Sequence, residues 1–195
     1  AGKHASSYLA FQEYMIVPLV NDVETALIIA DKIKFELRQR VIKRYSPFSA
    51  NYGDEGGIVI EAKKVSEPLE ILTAIINKLK LKGKVALAID AAASSFYEKG
   101  KYSVDGKKIS AKELSGLYQN LCKKFQILSI EDPFQEEDFA GFAELKKSEP
   151  NVKIIGDDLT VTNPNRLKKA IEQNSISGII IKPNQIGTVI EALAV

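Results

Sequence analysis

VALAID (85–90), ILSIE (127–131), KIIGD (153–157) and GIIIK (178–182) are four short apolar runs, each closing on one charged residue: Asp90, Glu131, Asp157 and Lys182. Runs this short and rich in Ile and Val are expected as parallel strands buried on both faces. The last three ends are 26 and 25 residues apart (131 to 157, 157 to 182). That is one strand, one helix and two short loops per step. Parallel strands repeated this way bring their carboxyl ends to one rim, where barrel and doubly wound enzymes carry their chemistry. Three carboxylates and one ammonium therefore converge. Such a cluster repels itself without a divalent cation, and an all-oxygen ligand set suits Mg²⁺. The pattern points to an enzyme site.

Outward from these runs, Ala10–Leu19 is expected to be extended. A helix capped by Asn21 or Asp22 runs to about Tyr45, with Val23, Ala26, Leu27, Ala30, Ile33, Leu37 and Val41 on one face. Residues 46–57 read as loop, rich in Pro, Asn, Asp and Gly. Ser66, Glu67 and Pro68 open a second helix ending near Lys80. The step from Asp90 to Glu131 is longer than its neighbours, 41 residues, and the excess falls in 96–109. Turn signals at Lys99–Gly100 and Asp105–Gly106 make it a β-hairpin excursion. Tyr97 and Tyr102, with Lys99, Lys101, Lys107 and Lys108, are expected on its solvated face. Helices are expected from Ser110, around Glu136–Lys147, and after a Thr162 or Asn163 cap with Pro164 in the first turn. Gly187–Thr188 looks like a further helix start. Four parallel strands and one extended segment do not close an eight-stranded barrel, so the expectation is an α/β partial (β/α) barrel, residues 1–195 as one domain, cut from something larger.

Composition narrows the function classes. With 27 basic and 25 acidic residues the net charge is +2, too little field to suggest nucleic acid or a membrane surface as partner. The apolar runs fall far short of the ~20 residues of a membrane span. The opening Ala-Gly-Lys-His-Ala does not read as a secretory signal. A single cysteine, Cys122, forms no internal disulfide and fits a reducing compartment. The expected setting is cytoplasmic.

Six motifs stand in order: HASSYLAFQEYMIVP (4–18), NYGDEGG (51–57), AIDAAASSFY (88–97), SIEDP (129–133), GDDLTVTNP (156–164) and IKPNQIGT (181–188). Together they resemble the enolase family over nearly the whole chain. The resemblance implies a TIM-like partial barrel with helices outside and a Mg²⁺-dependent hydro-lyase of glycolysis. Its substrate would be a small molecule, 2-phosphoglycerate, dehydrated reversibly to phosphoenolpyruvate, and the full-length parent would be a homo-oligomer. By position, Asp90, Glu131 and Asp157 match the family's metal ligands. Lys182 matches the base, which also touches substrate, and Glu55 matches the acid that helps the hydroxyl leave. His4, Gln12 and Glu13 match residues lining the substrate pocket. Only one of Asp157 and Asp158 can face the rim, because strand side chains alternate; the family pattern favours Asp157, leaving Asp158 to orient Lys182. Family members are longer, with an amino-terminal domain and last barrel strands that grip the substrate, so this chain alone is expected to be inactive. The alternatives are a non-catalytic Mg²⁺-binding or assembly module derived from enolase, and a racemase-type relative, whose Lys-x-Lys base has no counterpart at 51–57.

Overall fold

The computed structural model describes residues 9–45, 51–53 and 56–195. They form eight strands, seven α-helices and one short 3-10 helix at Ala93–Phe96. The strands are β1 (Glu13–Pro18), β2 (Val85–Asp90), β3 (Tyr97–Glu98), β4 (Lys101–Val104), β5 (Lys107–Ile109), β6 (Ile127–Glu131), β7 (Lys153–Gly156) and β8 (Gly178–Ile179). The helices are α1 (Val23–Arg44), α2 (Glu67–Lys78), α3 (Ala111–Lys124), α4 (Phe139–Ser148), α5 (Pro164–Glu172), α6 (Pro183–Ile186) and α7 (Val189–Ala194).

The main sheet has the order β1-β2-β6-β7-β8. β2, β6, β7 and β8 run parallel, as the repeated strand-helix step requires. β1 pairs antiparallel to β2, placing Glu13 opposite Asp90. The described strands form an open sheet, in agreement with a partial barrel.

Several sequence signals act as expected. Asp22 caps α1 by accepting from the Thr25 N–H at 2.7 Å. Ser110 and Glu113 form a reciprocal capping box on α3. Asn163 caps α5 with Pro164 at its start, and Thr188 caps α7.

Four expectations are corrected. Only β2 is buried along its whole length; β8 is two half-buried residues, and Ile181 is exposed. β8 is the last strand of this sheet and has β7 alone as neighbour, so among the described residues no further strand covers the end of the apolar run. The stripe that α1 buries follows one i, i+4 row through Ile29, Ile33, Leu37 and Val41. Val23 and Leu27 lie on a neighbouring row that runs into Asp31, and both are exposed. The 96–109 excursion is not one hairpin but a three-stranded meander, β3-β4-β5. Lys99, Gly100, Asp105 and Gly106 all have positive φ (49°, 80°, 50° and 76°), the backbone of two tight two-residue turns. Tyr102 leaves the expected solvated face: β4 alternates exposed and buried positions, and Tyr102 is buried.

Phe11, Tyr118, Phe134 and Phe142 form a chain of aromatic contacts through the core, with ring centroids 5.5, 6.0 and 6.1 Å apart. Tyr118 donates its hydroxyl to the Pro133 carbonyl at 2.9 Å, tying this core to the segment that leaves β6. Among the described residues, no helix is long and apolar enough to cross a membrane.

Candidate functional site

The carboxyl ends of β2, β6 and β7 and the segment after β8 bring Asp90, Glu131, Asp157 and Lys182 into one acidic volume. Asp90 ends the most buried strand. Its Oδ1 accepts from the Ala92 N–H at 2.9 Å and its Oδ2 from the Gln12 amide at 3.0 Å. The Gln12 backbone N–H also donates to the Asp90 carbonyl at 3.0 Å, so β1 and β2 lock this corner together. Burial pushes the Asp90 carboxyl up to about 8, and the charges of Glu131, Asp132 and Glu13 add to it. Glu131, at the end of β6, is pushed up to about 7, first by burial and then by Asp132 and Asp157, with Lys182 opposing.

Asp157 follows β7. Its Oδ2 accepts from the Lys182 ammonium. Its Oδ1 is buried and has no hydrogen-bond partner among the described residues. A buried carboxylate oxygen left bare is costly, and a cation is the partner that would satisfy it. Lys182 reaches Asp157 from beyond the short β8. Its backbone N–H donates to Thr162 Oγ1 at 2.8 Å, and Thr162 is itself fully buried. Burial lowers the Lys182 ammonium, but the hydrogen bond and charge of Asp157, helped by Glu131 and Asp158, outweigh it and the net shift is upward.

The three acids whose oxygens lie within 4.8 Å of one another are Glu131, Asp132 and Asp157. This cluster could hold a metal ion, and its hard oxygen donors suit a divalent one. Of the three ligands expected from sequence, the structure thus brings Glu131 and Asp157 within one ion's reach. Asp90 stands beside them with both oxygens already engaged by Gln12 and Ala92. Gln12 and Glu13 line a cavity of about 510 Å³, shared with Gly53, Gly56, Gly57 and apolar side chains of α1 and α2. His4 and Glu55 lie outside the described residues.

Asp158 does not hold Lys182; the ammonium sits on Asp157. The Asp158 N–H instead donates to Asp132 Oδ2 at 2.7 Å, and burial, then Asp157 and Glu136, raise its carboxyl. Asp132 is the residue that strand alternation hides. It follows Glu131 and should face the other way, but its φ of 41° turns the chain after β6. Its signal was an Asp standing before Pro133 at a strand end, since Asp tolerates left-handed backbone better than most residues.

Over residues 1–195 the chain matches the family described as Enolase, C-terminal TIM barrel domain. It is 42% identical over 193 residues to the enolase of Methanocaldococcus jannaschii, covering 98% of this chain and 45% of that protein. Likewise it is 42% identical to the enolase of Thermococcus kodakarensis and 41% to that of Aeropyrum pernix, covering 98% of this chain and 46% and 45% of theirs. The chain spans about half the length of the curated relatives it matches.

Proposed function

Because the chain belongs to the enolase family, we propose that residues 1–195, as one partial barrel domain, supply the metal-binding and proton-abstracting rim of a hydro-lyase. The reaction is the reversible, glycolytic dehydration of 2-phosphoglycerate to phosphoenolpyruvate. The observation that carries this reading is Asp157, whose carboxylate offers one oxygen to Lys182 and leaves the other, Oδ1, buried and without a partner among the described residues.

In this reading Glu131 and Asp157 would hold Mg²⁺, and Asp90, whose oxygens accept from the Ala92 N–H and the Gln12 amide, stands beside them as the third acid of the site. Bound there, the ion supplies positive charge that offsets the acids, stabilises charge developing on a substrate carboxylate and disfavours the ammonium form of Lys182. The chain's own residues do the rest. Lys182, neutral and anchored through its backbone to Thr162, takes the proton from the phosphate-bearing carbon of the substrate at Nζ. Glu55 gives a proton to the departing hydroxyl, for which its carboxyl must stay protonated. His4, Gln12 and Glu13 line the pocket, and Gln12 also keeps Asp90 turned toward β1. The parent protein is a cytoplasmic homo-oligomer in this account.

The test is proton exchange in the full-length protein carrying this chain. Lys182→Ala should abolish exchange of the substrate's carbon-bound proton with solvent deuterium. Glu55→Gln should block dehydration while leaving some exchange, because the base acts before the acid. Equal loss of both activities in both variants would overturn the separate roles. Metal binding with no turnover in the unsubstituted protein would favour a non-catalytic metal-binding module.

A further inference from the structure

We infer that Asp132 is a positioning residue for this cation site, a buried carboxylate that aims Asp157 and does not itself ligate the ion. The inference rests on the metal reading above. Asp132 is 2% exposed, and both its oxygens are engaged by backbone. Oδ1 accepts from the N–H of Asp157 at 3.1 Å and of Leu159 at 3.4 Å, and Oδ2 from that of Asp158 at 2.7 Å. Three successive positions after β7 are thereby turned inward around one carboxylate. The Asp132 N–H donates in return to the Ile155 carbonyl at 3.0 Å. Asp132 is bonded to Glu131 along the chain, so it ties the end of β6 to the end of β7.

The same turn is gripped from its carbonyl side. Arg166 Nε donates to the Leu159 carbonyl at 2.6 Å, while its guanidinium also reaches Glu137 Oε1 at 2.7 Å. The Asp157 carbonyl accepts from the N–H groups of Thr160 and Val161 at 3.1 and 2.7 Å. Asp157 is the first residue past β7, and its side-chain direction follows from the backbone of this turn. The contrast between the two acids decides their roles. Asp132 has its oxygens on N–H groups; Asp157 has one oxygen bare. A ligating carboxylate needs outer partners that hold it in place, and removing such a partner typically weakens metal binding by about 10- to 100-fold.

The experiment titrates Mg²⁺ calorimetrically into the full chain, Asp132→Asn, Asp157→Asn and the double variant. Asn keeps the tolerance for left-handed backbone but turns one acceptor oxygen into a donor facing an N–H. Asp132→Asn should bind Mg²⁺ about tenfold more weakly. The double variant should match Asp157→Asn within about twofold, because Asp132 acts only through Asp157. Amide exchange at Asp157, Asp158 and Leu159 should speed up in Asp132→Asn without metal. Arg166→Gln, which loosens the same turn without touching an acid, should weaken Mg²⁺ in the same direction and serves if Asp132→Asn fails to fold. If Asp157→Asn binds too weakly for heat, Mn²⁺ counted by electron paramagnetic resonance makes the comparison. Unchanged affinity in Asp132→Asn or, for an unfolded Asp132→Asn, in Arg166→Gln overturns the inference, as does a double variant weaker than Asp157→Asn by Asp132's full factor, which would make Asp132 a ligand. No binding of either ion by the unsubstituted chain overturns the metal reading, and this inference with it.

Discussion

Lys182 donates its ammonium to Oδ2 of Asp157 from 25 residues further along the chain, while Oδ1 of the same carboxylate is buried without a partner among the described residues. One side chain is thus divided between a cation the protein supplies and a position where a second cation fits. The ammonium and a divalent ion share that carboxylate and repel each other.

Lys182→Met keeps the length of the side chain and removes its charge. The metal-free variant should be less stable than the parent chain, because the acids of the rim lose their only close counter-charge among the described residues. Its Mg²⁺ affinity should rise by about 3- to 10-fold, as the competing ammonium is gone. Thermal unfolding without metal and a Mg²⁺ titration measure the two effects. A variant that is less stable and also binds Mg²⁺ more weakly would show that Lys182 organises the site and does not compete for it.

Tyr118 is fully buried and its hydroxyl meets the Pro133 carbonyl at 2.9 Å. Tyr118→Phe keeps the ring contacts but leaves that carbonyl bare, at a cost of about 1–3 kcal/mol. Urea unfolding should register the loss. A change below about 0.5 kcal/mol would mean that the carbonyl finds another partner.

Burial pushes the Cys122 thiol up to about 12, with Glu149 adding a smaller push. In the unfolded chain a thiol ionises near ~8.5. The folded form therefore holds its proton where the unfolded form loses it, and Cys122 lowers stability as pH rises from the unfolded value toward the folded one. At pH 8 iodoacetamide should modify Cys122 slowly in the native chain and fast after denaturation. Equal rates in the two states would contradict a shielded thiol.

The ends of β2, β6 and β7 were legible to within a residue because their apolar runs stop on Asp90, Glu131 and Asp157, whereas β8 stops at Ile179, short of Lys182. The helix starts were legible because their caps are local chemistry, with Asp22, Ser110, Asn163 and Thr188 each acting within three residues of themselves. The antiparallel direction of β1 was not legible. All six of its residues are half-buried, a pattern that carries no polarity. The two turns at Lys99–Gly100 and Asp105–Gly106 were visible, yet how many strands they joined depended on Tyr102 packing inward among Phe96, Tyr97 and Phe134. Asp132 was not legible because its role comes from a left-handed backbone turn and from N–H groups 25 to 27 positions away. The pairing of Lys182 with Asp157 in place of Asp158 was hidden for the same reason, since that turn decides which carboxylate faces the ammonium.

A divalent cation site at the ends of β6 and β7 underlies the proposed function. The most direct measurement is a calorimetric titration of Mg²⁺ into the chain and into Glu131→Gln. One saturable site is expected in the unsubstituted chain. Glu131→Gln should lower its affinity by at least about tenfold, since a charged oxygen ligand is lost from an ion that wants six. Equal affinity in the two proteins, or no binding in either, would contradict it.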